Sequence, residues 1–127
     1  MKWVSKGKKK KYSIKRLFKG VGYSVSGIIA ALKTEQNLLI ELIMGIIVTI
    51  LGIILKISMT ELCIILLCVG IIVSLELVNT SIENIVDMTM PQVHPLAKLS
   101  KDIAEGAVLF FSIISIIVVL LIFIPKL

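Results

Sequence analysis

The chain has 127 residues, of which 57% are hydrophobic and 17% are charged, and its mean hydropathy is +1.06. A chain of this length forms one domain, and this composition indicates that lipid is its main solvent. The chain is too apolar for a nucleic-acid reader despite its net charge of +6. Two cysteines, Cys63 and Cys68, with the single histidine His94, cannot build a disulfide framework or a zinc site. We therefore expect both thiols to be buried and inert.

The amino-terminal part is basic, because ten of the fourteen Lys and Arg residues precede residue 34 and no acidic residue precedes Glu35. Residues 1–11 form a basic arm that anionic lipid should attract. In residues 12–34, apolar side chains recur at three- and four-residue steps, which predicts an amphipathic helix in the membrane interface. Small residues should let this helix lie close to other helices: Gly20, Gly22, Ser24, Ser26 and Gly27.

Three apolar stretches follow, centred on residues 38–55, 62–78 and 107–124. From them we predict transmembrane helices over residues 36–56, 60–86 and 98–124, since about 20 helical residues cross a bilayer. Gly45 and Gly52 on the first span suit close helix contacts. The basic arm should stay in the cytosol, which places the amino terminus inside and the carboxyl terminus outside. The fold class is therefore an all-α membrane protein with one interfacial helix and three transmembrane helices.

Polar residues near the end of the second span follow a helical repeat. Glu76, Asn79, Glu83 and Asp87 stand at i, i+3, i+7 and i+11 and fall within about 80° of one another around a helix. Topology brings further charged residues to the same cytosolic layer: Glu35, Lys101 and Asp102. Glu41 lies about 9 Å deeper than Glu35. An acidic residue in a membrane helix must be paired, face water or have a function.

Three kinds of protein fit this layer. Carboxylates suit magnesium, a lysine suits phosphate, and a carboxylate near lipid could take a proton from a lipid hydroxyl, which together describe phosphoryl transfer. The sequence has no Walker motif, so a nucleotide site must be built without the common phosphate loop. Alternatively, the acids pair with lysines and the chain is a structural membrane protein or anchor. The third possibility is a small proton-coupled transporter.

Two motifs resemble those of a known family. Residues 76–87, ELVNTSIENIVD, and residues 94–109, HPLAKLSKDIAEGAVL, resemble the signatures of the small integral-membrane lipid kinases of bacteria, the diacylglycerol and undecaprenol kinases. The resemblance extends from about Arg16 to the third span and includes Lys19, Gly22, Tyr23 and Glu35. It implies one lipid-kinase domain over residues 1–127 that uses ATP and Mg²⁺ to phosphorylate a lipid hydroxyl. It also implies a homotrimer with shared active sites in the bacterial plasma membrane, with the site facing the cytosol.

The resemblance also implies a role for each matching residue. Glu76 matches the general base, and Glu35 and Glu83 match the carboxylates that hold magnesium. Arg16 and Tyr23 match residues that border the active site and the lipid entrance. The remaining positions match polar residues around the nucleotide, with Lys101 on the phosphates: Asn79, Asp87, Lys101 and Asp102.

Two positions bear on how this chain differs from its relatives. Glu105 stands where the family usually has a small residue; we expect a surface charge there, with pairing to Lys101, four residues earlier, as the alternative. Such pairing would weaken phosphate contact by Lys101. The loop that begins His94-Pro95 is similar to the Gram-positive branch, mostly undecaprenol kinases, so undecaprenol is the expected substrate and diacylglycerol the alternative. His94 itself is expected to pack in its loop.

Overall fold

The computed structural model describes residues 12–89 and 94–127, and the predicted basic arm, residues 1–11, lies outside this part of the chain. The described residues form four α-helices and a final turn of 3-10 helix: α1 Ile14–Thr34, α2 Gln36–Ile54, α3 Met59–Thr89, α4 Pro95–Phe123 and the turn Ile124–Lys126.

Three of these helices are long and apolar enough to cross a membrane: Gln36–Ile54, Met59–Thr89, and Pro95–Lys126 with its final turn. This confirms the predicted all-helical fold with three spans. The central helix α3 packs against both α2 and α4. Leu38 and Ile65 are fully buried between the helices, whereas most apolar side chains point outward. Outward apolar side chains are what a bundle in lipid requires.

The amphipathic helix α1 begins at a Ser cap, because the Ser13 hydroxyl oxygen accepts a hydrogen bond from the Arg16 backbone N–H at 3.1 Å. Helix α1 ends at Thr34, and Glu35, in an extended conformation, is the single residue between α1 and α2. A Cβ atom added at Gly20, Gly22 or Gly27 would meet no described residue within 4 Å. These glycines therefore do not contact the helices described in the same chain, and close contact with other helices stays a prediction. The position of α1 in the membrane interface stays a prediction.

The two glycines of α2 do serve close contacts. A Cβ atom at Gly45 would lie 2.6 Å from Val69 Cγ1 on α3, so the absence of a side chain lets these helices approach. At Gly52 a Cβ atom would lie 2.7 Å from Ile57 Cδ1 and 3.6 Å from Phe123 Cε1. The absence of a side chain at Gly52 therefore leaves room for Ile57 in the turn after α2 and for Phe123 at the end of α4.

The turn between α2 and α3 ends α2 at Ile54, two residues before the expected end at 56. Ile57 N–H donates to the Gly52 carbonyl and Lys56 N–H to the Ile53 carbonyl, both at 3.1 Å. Together with a φ of 57° at Lys56, these bonds form a Schellman motif. A capping box then starts α3: Ser58 N–H donates to Glu61 Oε1 at 2.9 Å, and Glu61 N–H to Ser58 Oγ at 3.1 Å.

The helices around the predicted cytosolic layer are longer than expected. α3 reaches Thr89 rather than residue 86, and α4 starts at Pro95 rather than residue 98. His94 explains the early start, because its Nδ1 atom accepts a hydrogen bond from the Leu96 backbone N–H at 3.1 Å. Proline at the first position favours a helix start there. His94 thus caps α4.

The two thiols differ in their surroundings. Cys68 is buried and Cys63 is exposed within the chain. The expectation of two buried thiols is therefore wrong for Cys63, which faces outward from α3 in an apolar span.

Candidate active site

The polar stripe of α3 forms as its spacing predicts, and it runs from buried to exposed. Glu76 and Asn79 are only 1% and 3% exposed, Glu83 is partly buried, and Asp87 is exposed. Asn79 Nδ2 donates to Glu83 Oε1 one turn later at 2.9 Å. The stripe therefore connects the buried part of the bundle with one end of it.

Helix α4 faces this stripe with two polar contacts. Asn79 Nδ2 also donates to Glu105 Oε2 at 2.9 Å, and Lys101 Nζ donates to Asp87 Oδ1 at 2.8 Å. The alternative in which Glu105 pairs with Lys101 is therefore wrong, because each residue contacts α3 instead. Glu105 is exposed, as expected of a surface charge, and its carboxylate additionally accepts a hydrogen bond from the layer.

Asp102 lies on the outer side of the same turn of α4. Its Oδ2 atom is 2.6 Å from Lys98 Nζ, and both side chains are well exposed. An exposed pair of this kind contributes about 1 kcal/mol or less to stability. In this chain Asp102 therefore has Lys98 as its partner on α4, while Lys101 reaches across to α3.

Several buried oxygen atoms of the layer have no hydrogen-bond partner among the described residues: Glu41 Oε2, Glu76 Oε2 and Asn79 Oδ1. Four further carboxyl groups lie close enough to Glu76 to repel a negative charge on it, those of Glu35, Glu41, Glu83 and Glu105. A buried polar atom without a partner is costly to a fold. Cations, or a substrate hydroxyl that donates a hydrogen bond, would offset that cost.

The opposite end of the bundle has the reverse character. Glu61 accepts from Ser58 in the capping box and lies 3.7 Å from Lys126 Nζ at the end of α4. Its Oε1 atom therefore serves both capping and pairing. Among the described residues, the buried carboxylate oxygens without a hydrogen-bond partner belong to Glu41 and Glu76.

The predicted site residues on α3 come together with Lys101 of α4. Asp102 of α4 pairs with Lys98 instead, and the two predicted residues on α1 lie away from the layer. Glu35 lies at the break between α1 and α2, within electrostatic reach of Glu83. Arg16 and Tyr23 stand 19 and 12 residues earlier on one continuous helix, about 28 and 18 Å from Glu35 along its axis. Tyr23 is 75% exposed. Within one chain, α1 carries both residues away from Glu35.

Sequence reasoning missed two members of the layer. Glu41 was placed only as a deeper acid, yet it is close to both Glu76 and Glu105. Glu105 was judged by its neighbour Lys101, one turn away on the same helix. The available signal for Glu105 was its depth in the membrane. Glu105 is one helical turn deeper than Lys101 on α4, so it lies level with residues of α3 that are deeper than Asp87.

A helical bundle with three spans and a carboxylate-rich layer at one end, facing a lysine, defines an integral membrane protein with a candidate cation and phosphate site. The chain belongs to the prokaryotic diacylglycerol kinase family, which matches residues 22–123.

Named relatives fall into two groups. Over 54 residues, 42% of this chain and 44% of the relative, the chain is 59% identical to an undecaprenol kinase of Bacillus subtilis strain 168. It is 34% identical to a diacylglycerol kinase of Synechocystis over 97 residues, 76% of this chain and 55% of that protein. It is 36% identical to a diacylglycerol kinase of Helicobacter pylori strain J99 over 93 residues, 73% of each chain. The matches thus span about half the length of the first two relatives.

Proposed function

We propose that this protein is a lipid kinase that transfers the γ-phosphoryl group of ATP to the hydroxyl group of a membrane lipid. The observation that carries the proposal is Glu76, a carboxylate buried in a membrane helix, one of whose oxygens has no hydrogen-bond partner in the part of the chain that the structure describes. Family membership favours this function over a proton-coupled transporter or a structural anchor. The position of the acids at one end of the bundle agrees with a reaction between a lipid and a water-soluble nucleotide.

In the proposed reaction Glu76 is the general base. Its Oε2 atom takes the proton of the lipid hydroxyl while the hydroxyl oxygen attacks the γ-phosphorus atom of ATP. A new oxygen–phosphorus bond forms, and the bond from the γ-phosphorus to the bridging oxygen breaks with its electron pair leaving on ADP. Burial keeps other proton donors away from Glu76, which suits a base that must act on one bound hydroxyl.

The residues of the layer fit the magnesium that a kinase of this kind requires. In the described residues no three acidic, histidine or cysteine side chains form a metal centre by themselves. Glu35 and Glu83 would supply carboxylate oxygens to bound magnesium, and Asn79 Oδ1, which has no hydrogen-bond partner among the described residues, would offer a further oxygen; all are hard donors that magnesium prefers. Bound magnesium would neutralise the charge that develops on the phosphates.

The basic residues of the layer suit the nucleotide. Lys101 is held by Asp87 at 2.8 Å, an arrangement that fixes the ammonium group while leaving its remaining N–H donors for phosphate oxygens. Asp87, Asn79 and Asp102 complete the proposed nucleotide surroundings. The layer then faces the cytosol, with the amino terminus inside and the carboxyl terminus outside, as the basic arm indicates.

Undecaprenol is the proposed lipid. The supporting observation is the 59% identity to a protein named undecaprenol kinase, which exceeds the 34% and 36% identities to proteins named diacylglycerol kinase. Diacylglycerol is the second candidate, because the Helicobacter relative matches over a larger share of both chains. The chemistry at Glu76 is the same for either hydroxyl.

The experiment uses purified protein in mixed micelles with radiolabelled ATP and magnesium. Undecaprenol and diacylglycerol are offered separately and in competition, with Glu76→Gln as the blank. We expect phosphate transfer to undecaprenol, and less or no transfer to diacylglycerol. Preference for diacylglycerol would refute undecaprenol as the substrate but would support the proposed lipid-kinase reaction. Transfer to neither lipid would refute the kinase proposal for this chain.

We further propose a homotrimer whose active sites combine residues of different chains. The separation of about 28 Å between Arg16 and Glu35 along α1 supports this, because a neighbouring chain could bring its own Arg16 to the layer. Two variants test it, Arg16→Ala and Glu76→Gln, each expected to be inactive alone. Random mixing should restore about a quarter of the wild-type activity if α1 and α3 of one site come from different chains. No recovery in mixed oligomers would contradict shared sites.

A further inference from the structure

The side-chain amide of Asn79 is held between two carboxylates from two helices. Its Nδ2 atom donates to Glu83 Oε1 on α3 and to Glu105 Oε2 on α4, both at 2.9 Å. A primary amide has two N–H donors, and both are used here. Its carbonyl oxygen Oδ1 is buried and has no hydrogen-bond partner among the described residues.

These two contacts decide which way the amide points. If the amide turned over, its oxygen would face two carboxylates, and like partial charges would repel. With Glu83 alone, one N–H group would be unpaired and the side chain could turn toward other acceptors. Glu105 removes that freedom, since the second N–H group is bound from the opposite helix.

We propose that Glu105 is a positioning residue, which fixes the Asn79 amide so that its carbonyl oxygen faces the site as a ready acceptor. The inference deepens the proposed function and depends on it for its kinetic consequence. Its structural content, a locked amide, stands independently of any activity. Glu105 is suited to the role because it lies on α4, so its contact also fixes the spacing between α3 and α4 at the depth of Asn79.

The first measurement observes the amide directly. The chain has three asparagines, Asn37, Asn79 and Asn84, so ¹⁵N-asparagine labelling gives three side-chain amide pairs in an NMR spectrum of the protein in micelles. Asn79→Ala identifies the Asn79 pair by its loss. Glu105→Ala should shift that pair and speed its exchange with solvent, while the Asn37 and Asn84 pairs stay in place. An unchanged Asn79 pair would overturn the proposal, whatever the enzyme does.

The second measurement compares kinetics in two variants of the same position. Glu105→Gln keeps an oxygen that can accept from Asn79 but removes the charge, whereas Glu105→Ala removes both. We expect kcat to fall about tenfold in Glu105→Ala, a change near the lower end of what a hydrogen bond to a charged group contributes to stability, and to be largely restored in Glu105→Gln. Equal losses in both variants would show that charge, rather than positioning, is what Glu105 contributes.

A double-mutant cycle separates positioning from a general loss of stability. If Glu105 acts through Asn79, then Glu105→Ala should change kcat little once Asn79 is already alanine. Independent, multiplicative losses would contradict the proposal. Glu61→Gln provides the matched control, because it neutralises an acid at the opposite end of the bundle and should leave the Asn79 resonances unmoved. If no lipid is phosphorylated by the wild-type protein, the proposed function fails while the NMR result still decides this inference.

Discussion

Replacing Glu76 by Gln should remove most of the activity while leaving the fold at least as stable. Gln has nearly the same shape, and the side chain is only 1% exposed, so the packing around it persists. A general base contributes about 100- to 10,000-fold to a rate. Because the bundle excludes water from this position, solvent offers no nearby substitute, and we expect a loss near the upper end of that range.

Stability should respond in the opposite direction. Four other carboxyl groups repel a charge on Glu76, and one of its oxygens has no partner among the described residues. Neutralising the side chain removes that repulsion without opening a cavity. The thermal unfolding temperature in detergent should therefore hold or rise, as is common when a strained functional group is replaced.

The assay is phosphate transfer from radiolabelled ATP under single-turnover conditions, which separates the chemical step from product release. Thermal unfolding and gel filtration of the same samples report the fold. Glu76→Asp provides a graded comparison, since it withdraws the carboxylate by about 1.5 Å and should lose roughly 100-fold. Turnover of Glu76→Gln within a factor of about ten of the wild type would remove Glu76 from the base role. A sharp fall in stability would instead make Glu76 a structural residue.

Three further changes test other parts of the molecule. Glu83→Ala should raise the magnesium concentration needed for half-maximal rate by about tenfold or abolish activity, because a carboxylate ligand is lost; an unchanged magnesium titration would contradict metal binding there. Gly45→Ala should lower stability by about 1–3 kcal/mol, since its Cβ would lie 2.6 Å from Val69 Cγ1. Adding Val69→Ala to Gly45→Ala should restore the stability. As a control, Gly70→Ala should leave thermal unfolding unchanged, since a Cβ atom there meets no described residue within 4 Å. Removing residues 1–11 should weaken binding to anionic vesicles in a flotation assay more than it lowers turnover in micelles; an inactive protein would show that the arm does more than attach.

The spans and the polar stripe could be predicted from the sequence because each depends on a local repeat. An apolar run of about 20 residues has few alternatives in lipid. The positions i, i+3, i+7 and i+11 share a face in any α-helix, so the contact between Asn79 and Glu83 follows from helix geometry. The helix ends were less accurate because two local signals were missed. These were the Ser58–Glu61 capping box and the pair His94-Pro95 before α4.

Contacts between helices could not be predicted in the same way. The partner of Glu105 depends on how far α4 is rotated and shifted against α3, and no spacing within one helix determines that. Lys101 was an acceptable partner by sequence, one turn away on the same helix. The packed bundle offers a better arrangement, in which Lys101 reaches the exposed Asp87 and Glu105 reaches the buried Asn79.

The contrast between the two ends of the bundle indicates which end carries the active site. At one end Glu61 serves a capping box and a contact with Lys126, so its carboxylate has partners within the fold. At the other end, buried oxygens of Glu76 and Asn79 have no hydrogen-bond partner within residues 12–89 and 94–127. A membrane protein gains nothing in stability from such atoms, because apolar side chains would pack there at lower cost. What balances the cost must come from outside the chain, which is the property expected of a site that binds cations, nucleotide and a lipid hydroxyl.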